Sequence, residues 1–266
     1  TVAACPGGQF PVGQQVATLM GGMGRIFDGG YAEYTCVPVR QVVPFRSALD
    51  WATLGALPEM LQTSYGSLTV GLDAQPEQTL LVRGGTSSVG MATAVLAKRL
   101  GMTVLSTTRN PAKAAALDAI GVDHVVVDDG RIAGRVRDIV PDGVDTALEL
   151  VGTPTLPDNL AATRLHGVVC FTGMLSNEWT VRDFYPIDYI PRGVRLTAYS
   201  GGAADLPANV MQDFLDAVAA GDTVVPISRV YQLEEIRQAH AEMEAGSAMG
   251  KIVVLTPHAG TQSTHL

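Results

Sequence analysis

The 266-residue chain reads as an α/β protein built on a doubly wound, six-stranded parallel sheet, with a smaller β-rich lobe before it. Three observations predict this. Between residues 79 and 200, short apolar runs alternate with stretches of helical spacing, the pattern of successive strand–helix units. The first such unit has a glycine-rich bend between its strand and its helix. Residues 1–57, by contrast, show no helical period and carry short β-like runs between glycine clusters.

In chain order, residues 1–5 (TVAAC) read as a strand already in progress. Residues 15–20, 31–37 and 41–44 are β-like, separated by glycines at 7–8, 21–24 and 29–30, the texture of a small, tightly turned barrel. Residues 52–72 predict a less regular helix leading into the sheet. Strands are expected at 79–83, 103–107, 124–127, 144–149, 167–172 and 195–200. Helices are expected from about 87, where Val89, Ala92, Leu96 and Leu100 form an apolar stripe, and over 111–120, 132–139 and 156–164. After the sheet, residues 209–220 and 233–245 predict helices and 251–255 a strand, with fraying from Pro257 on. The domain boundaries fall at 1–58, 59–206 and 207–266.

The stretch LLVRGGTSSVGMATAVLAKRLG, from Leu80 to Gly101, carries the chemistry. A strand that bends through Gly84 and Gly85 into a helix start presents unpaired N–H groups at the positive end of a dipole, where phosphate binds well. Gly84, Gly85 and Gly90 suit a sharp turn and close approach of a pyrophosphate, with Thr86, Ser87, Ser88 and Val89 between them. Ser87 stands where the dinucleotide pattern G-x-G-x-x-G has its middle glycine. The same glycines also suit an ordinary strand-to-helix turn that holds no ligand.

The second strand strengthens the nucleotide reading. It ends at Thr108-Arg109-Asn110, and Lys113 follows one helical turn on, with no acid before Asp118. An acid at that strand end would hold the ribose hydroxyl of NAD, whereas an arginine accommodates the 2′-phosphate of NADP. NADP(H) is therefore the expected cofactor, although Arg109 and Lys113 also suit a plain solvated surface. The crevice is expected at the carboxyl ends of the strands, near Gly85, Arg109, Val151 and Gly173.

Composition narrows the classes. A net charge of −8 without basic runs argues against nucleic acid as partner. No apolar stretch approaches the ~20 residues that span a bilayer, and no leader is evident. Cys5, Cys36 and Cys170 are too few and scattered for a disulfide framework or a metal site, and fit a cytoplasmic protein. His124, His166, His240, His258 and His265 are dispersed and read as surface or turn residues. No tyrosine stands four residues before a lysine, and no G-x-S-x-G elbow occurs. A methyltransferase would want an acid where Arg109 stands.

The segments GGYAEY (29–34), LQTSYGSL (61–68), GGTSSVG (84–90), GVDTALELVG (143–152) and GKIVVL (250–255) resemble the zinc-independent quinone oxidoreductase branch of the medium-chain dehydrogenase/reductase superfamily. The similarity covers nearly the whole chain. It implies a Rossmann-type nucleotide domain and a partial GroES-like β-barrel lobe, lacking an N-terminal block of the catalytic domain. By resemblance Thr63, Val151, Thr172, Gly173 and Met174 lie along the cofactor, and Glu59 stands where zinc-dependent relatives have a cysteine. The expected reaction is hydride transfer from NADPH to a quinone or α,β-unsaturated carbonyl, without metal. Tyr31, Tyr65 and Tyr189 are candidate pocket residues, and no residue is assigned as catalytic. Two other readings stay open: a zinc-dependent alcohol dehydrogenase with ligands in the absent block, and a non-catalytic NADPH-binding protein. The resemblance further implies a homodimer through the nucleotide domain, with residues 195–200 as the candidate edge.

Overall fold

A computed structural model describes residues 1–257 of the chain. It divides into two compact units, one of residues 1–62 with 201–266 and one of residues 63–200.

In the first unit, β1 (Val16–Thr18) pairs antiparallel with β2 (Val42–Pro44). Helix α1 (Trp51–Gly66) begins here and crosses the division between Gln62 and Thr63. In the second unit it runs on into a wide turn, Ser67–Gly71, so the expected single helix over 52–72 changes its hydrogen bonding in its last turn.

The second unit holds the sheet. Its strands and helices alternate: β3 (Thr79–Arg83), α2 (Ser88–Arg99), β4 (Thr103–Thr108), α3 (Ala114–Asp118), β5 (His124–Val127), α4 (Ala133–Ile139), β6 (Val144–Glu149), α5 (Leu156–Ala162), β7 (Thr163–Phe171), α6 (Pro186–Tyr189) and β8 (Arg195–Ala198). All pairings are parallel, in the order β5-β4-β3-β6-β7-β8. The expected doubly wound six-stranded sheet is thus present. The strand order reverses between β3 and β6, which is where such sheets open a crevice.

Period-two alternation explains why both faces are covered. Leu80, Val82, Val104, Leu148 and Cys170 enter one core with Met91, Ala94 and Ala97 of α2. Leu81, Leu105, Ala147 and Val169 enter the other with Val136 of α4 and Leu160 of α5. The stripe expected on α2 was too narrow. Leu100 is exposed, and the buried surface includes Ala92, Ala94 and Ala97, which periodicity underweights but which let a helix lie close on a sheet.

The remaining elements belong to the first unit: α7 (Ala208–Ala220), β9 (Ile227–Gln232), α8 (Ile236–Glu244) and β10 (Lys251–Leu255). β9, not anticipated, runs parallel to β10. A Cβ on Gly55 would stand 3.3 Å from Val253, so α1 lies close on β10.

Three further expectations fail. Residues 31–37 form an exposed loop, because among the described residues no strand lies beside them to take up their N–H and C=O groups. Residues 1–5 are irregular: Val2 exchanges backbone bonds with Gly13 and Gln14, and the Cys5 carbonyl accepts from Gly8 N–H. The helix expected over 156–164 stops at Ala162, and β7 starts at Thr163 rather than 167. Two smaller shifts are that the segment over 111–120 is a 3-10 turn, Pro111–Lys113, followed by the short α3, and that the last helix likewise opens as a 3-10 turn, Leu233–Glu235. The fraying expected after Pro257, with His258 and His265, lies outside the described residues.

Candidate nucleotide crevice

The bend after β3 is shaped by contacts that only glycine permits. Gly84 has a φ of +85°, and its N–H is accepted by Thr107 Oγ1 at 3.1 Å. A Cβ on Gly85 would meet Ser106 Oγ at 1.9 Å and the Thr107 carbonyl at 2.8 Å. One on Gly90 would meet the Gly84 carbonyl at 2.5 Å. The bend therefore packs directly on β4, and α2 directly on the bend.

Ser87 is the N-cap of α2. Its hydroxyl accepts from Gly90 N–H at 3.1 Å and donates to the Gly84 carbonyl at 2.8 Å. The serine in place of the pattern's middle glycine thus spends its side chain on the turn itself. The N–H groups of Thr86, Ser88 and Val89 meet no acceptor among the described residues, and they stand at the positive end of a twelve-residue helix. Ser64, the chain neighbour of Thr63 in α1, donates from Oγ to the Val89 carbonyl at 3.1 Å.

The exits of β4, β6 and β7 complete the surroundings. Thr108 is buried, with its hydroxyl bonded to both the N–H and the carbonyl of Asn110, and Asn110 Oδ1 in turn caps the turn at 111–113. Arg109 is exposed at the end of β4, and Lys113 is half-buried one turn on. A Cβ on Gly84 would touch Leu150, Leu175 and Val151. Gly173 N–H and Thr172 N–H both donate to the Glu149 carbonyl at 3.0 Å, and Thr172 Oγ1 lies 3.0 Å from Ser67 Oγ. Gly152 lies against Met174, its Cβ position 3.6 Å from the Met174 Cα. The structure thus gathers Gly84, Gly85, Thr86, Ser88, Val89, Gly90, Val151, Thr172, Gly173 and Met174 around the point where strand order reverses.

Sequence reading missed what lies beneath. Arg83 and Glu149, the last residues of β3 and β6, are paired in register and fully buried. Arg83 donates from Nε and Nη2 to Asp128 at 2.9 Å each, and from Nη1 to Asp158 at 2.6 Å and to the Thr155 carbonyl at 3.3 Å. Burial works against the guanidinium's charge, but Asp128 and Asp158 outweigh it and hold its pKa above the ordinary value. Glu149 Oε1 accepts from Val151 N–H, Gly152 N–H and Thr155 Oγ1 at 2.7–2.9 Å, and Oε2 from Asn159 Nδ2 at 2.9 Å. Burial nevertheless pushes its carboxyl up to about 7, against the donors of Gly152, Thr155 and Val151 and the nearby Arg83. The available signal was a charged residue closing each of two adjacent apolar strands, LLVR and VDTALE.

The first unit has a separate groove of about 1170 Å³, lined by Met23, Phe27, Tyr31, Cys36, Glu59 and His240 among others. Tyr31 Oη and His240 Nε2 share a hydrogen bond of 3.0 Å, so His240 is a bonded partner rather than a bare surface residue. Glu59 pairs with Lys251 Nζ at 2.5 Å. Of the other candidate tyrosines, Tyr65 accepts from Thr69 at its carbonyl, and Tyr189 keeps its hydroxyl buried with no partner among the described residues. Among the described residues no three His, Cys, Asp or Glu side chains are placed to hold a metal, and no helix is long and apolar enough to cross a membrane. His124 and His166 are exposed, and His166 lies within β7 at a φ of 65° rather than in a turn.

Sheet order, glycine bend and open helix terminus together define a nucleotide-binding domain of the Rossmann type. Comparison with known proteins gives the family. Residues 120–254 match the family model described as zinc-binding dehydrogenase, and the chain belongs to that family, within the medium-chain dehydrogenase/reductase superfamily. It is 26% identical over 271 residues to prostaglandin reductase-3 of Mus musculus, covering 94% of this chain and 68% of that one. It is 24% identical over 259 residues to a quinone oxidoreductase of Lama guanicoe, covering 92% and 76%. A mycobacterial protein solved as a complex with NADPH superposes with a TM-score of 0.75 at 24% identity, over 86% of this chain and 71% of that one. The chain spans only 10% of the length of another relative, the squalestatin tetraketide synthase of a Phoma strain.

Proposed function

We propose that this chain is the nucleotide-binding part of an NADPH-dependent oxidoreductase that reduces a quinone or an α,β-unsaturated carbonyl without zinc. The observation that carries the reading is the bend of Gly84, Gly85 and Gly90 at the reversal of strand order. There, close packing is compulsory and the N–H groups of Thr86, Ser88 and Val89 stay open. Such a site fits a pyrophosphate. When bound, NADPH supplies the hydride; the protein binds, orients and excludes water. The open N–H groups and the dipole of α2 hold the phosphates. Arg109 and Lys113 would select the 2′-phosphate, while Thr63, Val151, Thr172, Gly173 and Met174 would lie along the cofactor. Thr108, tied to Asn110, shapes the strand end.

Quinone or enone as substrate class rests on the likeness to quinone oxidoreductase and prostaglandin reductase. Zinc independence is supported by Glu59, which is engaged by Lys251. The competing reading, a zinc-dependent alcohol dehydrogenase, draws on the family description; stoichiometric zinc in the purified full-length protein would establish it. Binding of NADPH without turnover across a panel of quinones and enones would instead favour a non-catalytic binder. The three free cysteines suit a reducing cytoplasm. The open edge of β8 suits a homodimer, and a scattering mass equal to one chain would remove that proposal.

The deciding experiment compares NADPH and NADH affinity in the wild type and in Arg109→Ala. NADPH binding is expected to weaken by about tenfold or more, the scale of one charge-assisted contact, with NADH unchanged. Equal weakening of both, or of neither, overturns the assignment.

A further inference from the structure

Arg83, Asp128, Asp158 and Glu149 form a single buried cluster. Asp128 and Asp158 touch the guanidinium, and Glu149 stands beside it in register on the neighbouring strand. With every carboxyl ionised, one cation faces three anions. That surplus of negative charge is centred on Arg83, which leads straight into the bend that is to receive phosphate, in a medium where charge is poorly screened.

The surroundings of Glu149 already provide for a proton. Its Oε1 is saturated by three donors, but Oε2 has only Asn159 Nδ2. The other amide atom, Asn159 Oδ1, is buried and has no partner among the described residues. Turned over, the same amide offers an acceptor to an Oε2–H. Two titratable hydroxyl or acid groups complete the neighbourhood. Tyr189 of α6 feels the charge of Glu149 and keeps an unpartnered hydroxyl, and Asp158 of α5 is already committed to Arg83 and the N–H of Ile132.

We propose that Glu149 is a positioning residue that takes up a proton from solvent, at Oε2, when the phosphates of the nucleotide dock on the bend above it. Ionised or protonated, Oε1 continues to hold the Val151 and Gly152 N–H groups, so the exit of β6 keeps its shape while the charge beneath the phosphates falls by one. This rests on the nucleotide reading above. The position of the carboxyl near neutrality means that a modest extra field from bound phosphate is enough to tip it.

The test is calorimetric titration of NADPH at neutral pH in two buffers of different ionisation enthalpy, for the wild type and Glu149→Gln. The wild type is expected to take up a fraction of a proton more per nucleotide than Glu149→Gln does, the difference cancelling protons of the nucleotide itself. The ratio of wild-type to Glu149→Gln Kd is expected to rise about fivefold between about pH 6 and about pH 8, towards a limit of about tenfold at higher pH, for an upward shift of about one pKa unit on binding. Should Glu149→Gln fail to fold, the wild-type infrared difference spectrum, bound minus free, decides: a new protonated-carboxyl band is expected. Equal proton uptake in both proteins, or NADPH binding with neither uptake nor band, overturns this proposal alone. No NADPH binding at all overturns the nucleotide reading with it.

Discussion

Two pairs of glycines, one pair in each unit, answer to different physics. In the nucleotide unit, Gly85 and Gly90 are required because other atoms occupy the space a Cβ would take. In the first unit, Gly8 and Gly13 have φ of +72° and +87°, and nothing lies within 4 Å of the position a Cβ would take. They serve only the turn of the chain. A glycine demanded by a neighbour belongs to a packed, long-range arrangement; a glycine demanded by its own dihedral belongs to a local bend.

That distinction can be broken by mutation. The largest effect is expected where the nucleotide unit depends on a buried charge. Arg83→Met strands Asp128 and Asp158 beneath the bend and should cost about 3–5 kcal/mol in denaturant unfolding; a loss below about 1 kcal/mol would show the cluster is dispensable. Next comes Gly85→Ala, whose methyl meets Ser106 Oγ and the backbone of Thr107. About 3 kcal/mol is expected, visible as loss of hydrogen-exchange protection in β3 and β4.

Glu149 supplies a pH signature. Its folded pKa of about 7 lies above the ordinary 4.5. The folded state holds the proton more tightly, so the group's contribution is full below about pH 4.5 and is lost as pH rises through about 7. A decline on the order of 2 kcal/mol across that window is expected in the wild type, and its disappearance in Glu149→Gln; an unchanged pH slope would contradict the burial argument.

Smaller effects test the other side of the comparison. Gly8→Ala should cost only about 1 kcal/mol, since strain at positive φ is its whole penalty. If it cost as much as Gly85→Ala, the contrast between these two kinds of glycine would not hold. Gly134 in α4 has open space and an ordinary helical φ. Gly134→Ala should therefore raise the unfolding midpoint, by about 0.5–1 kcal/mol in stability.

Much of this architecture is legible in the order of residues. The run LLVRGGTSSVG announces strand, bend and helix because the constraints are local: a buried apolar run, residues free at positive φ, and a capping serine. The loop at 31–37 is misread for the opposite reason. Its residues suit a strand, but pairing depends on a second chain segment that no local pattern specifies. β9 is missed on the same ground, since its place is set by β10.

Taken alone, then, the amino-acid order determined the alternation of elements, the bend and the cations after the second strand, all consequences of short-range sterics and periodicity. Only the tertiary structure decided that Arg83 and Glu149 stand side by side under that bend with Asp128 and Asp158 around them. Residues as far apart as Arg83 and Asp158 acquire a common electrostatic fate when parallel strands set their carboxyl ends together and exclude water, and nothing in their spacing along the chain encodes it.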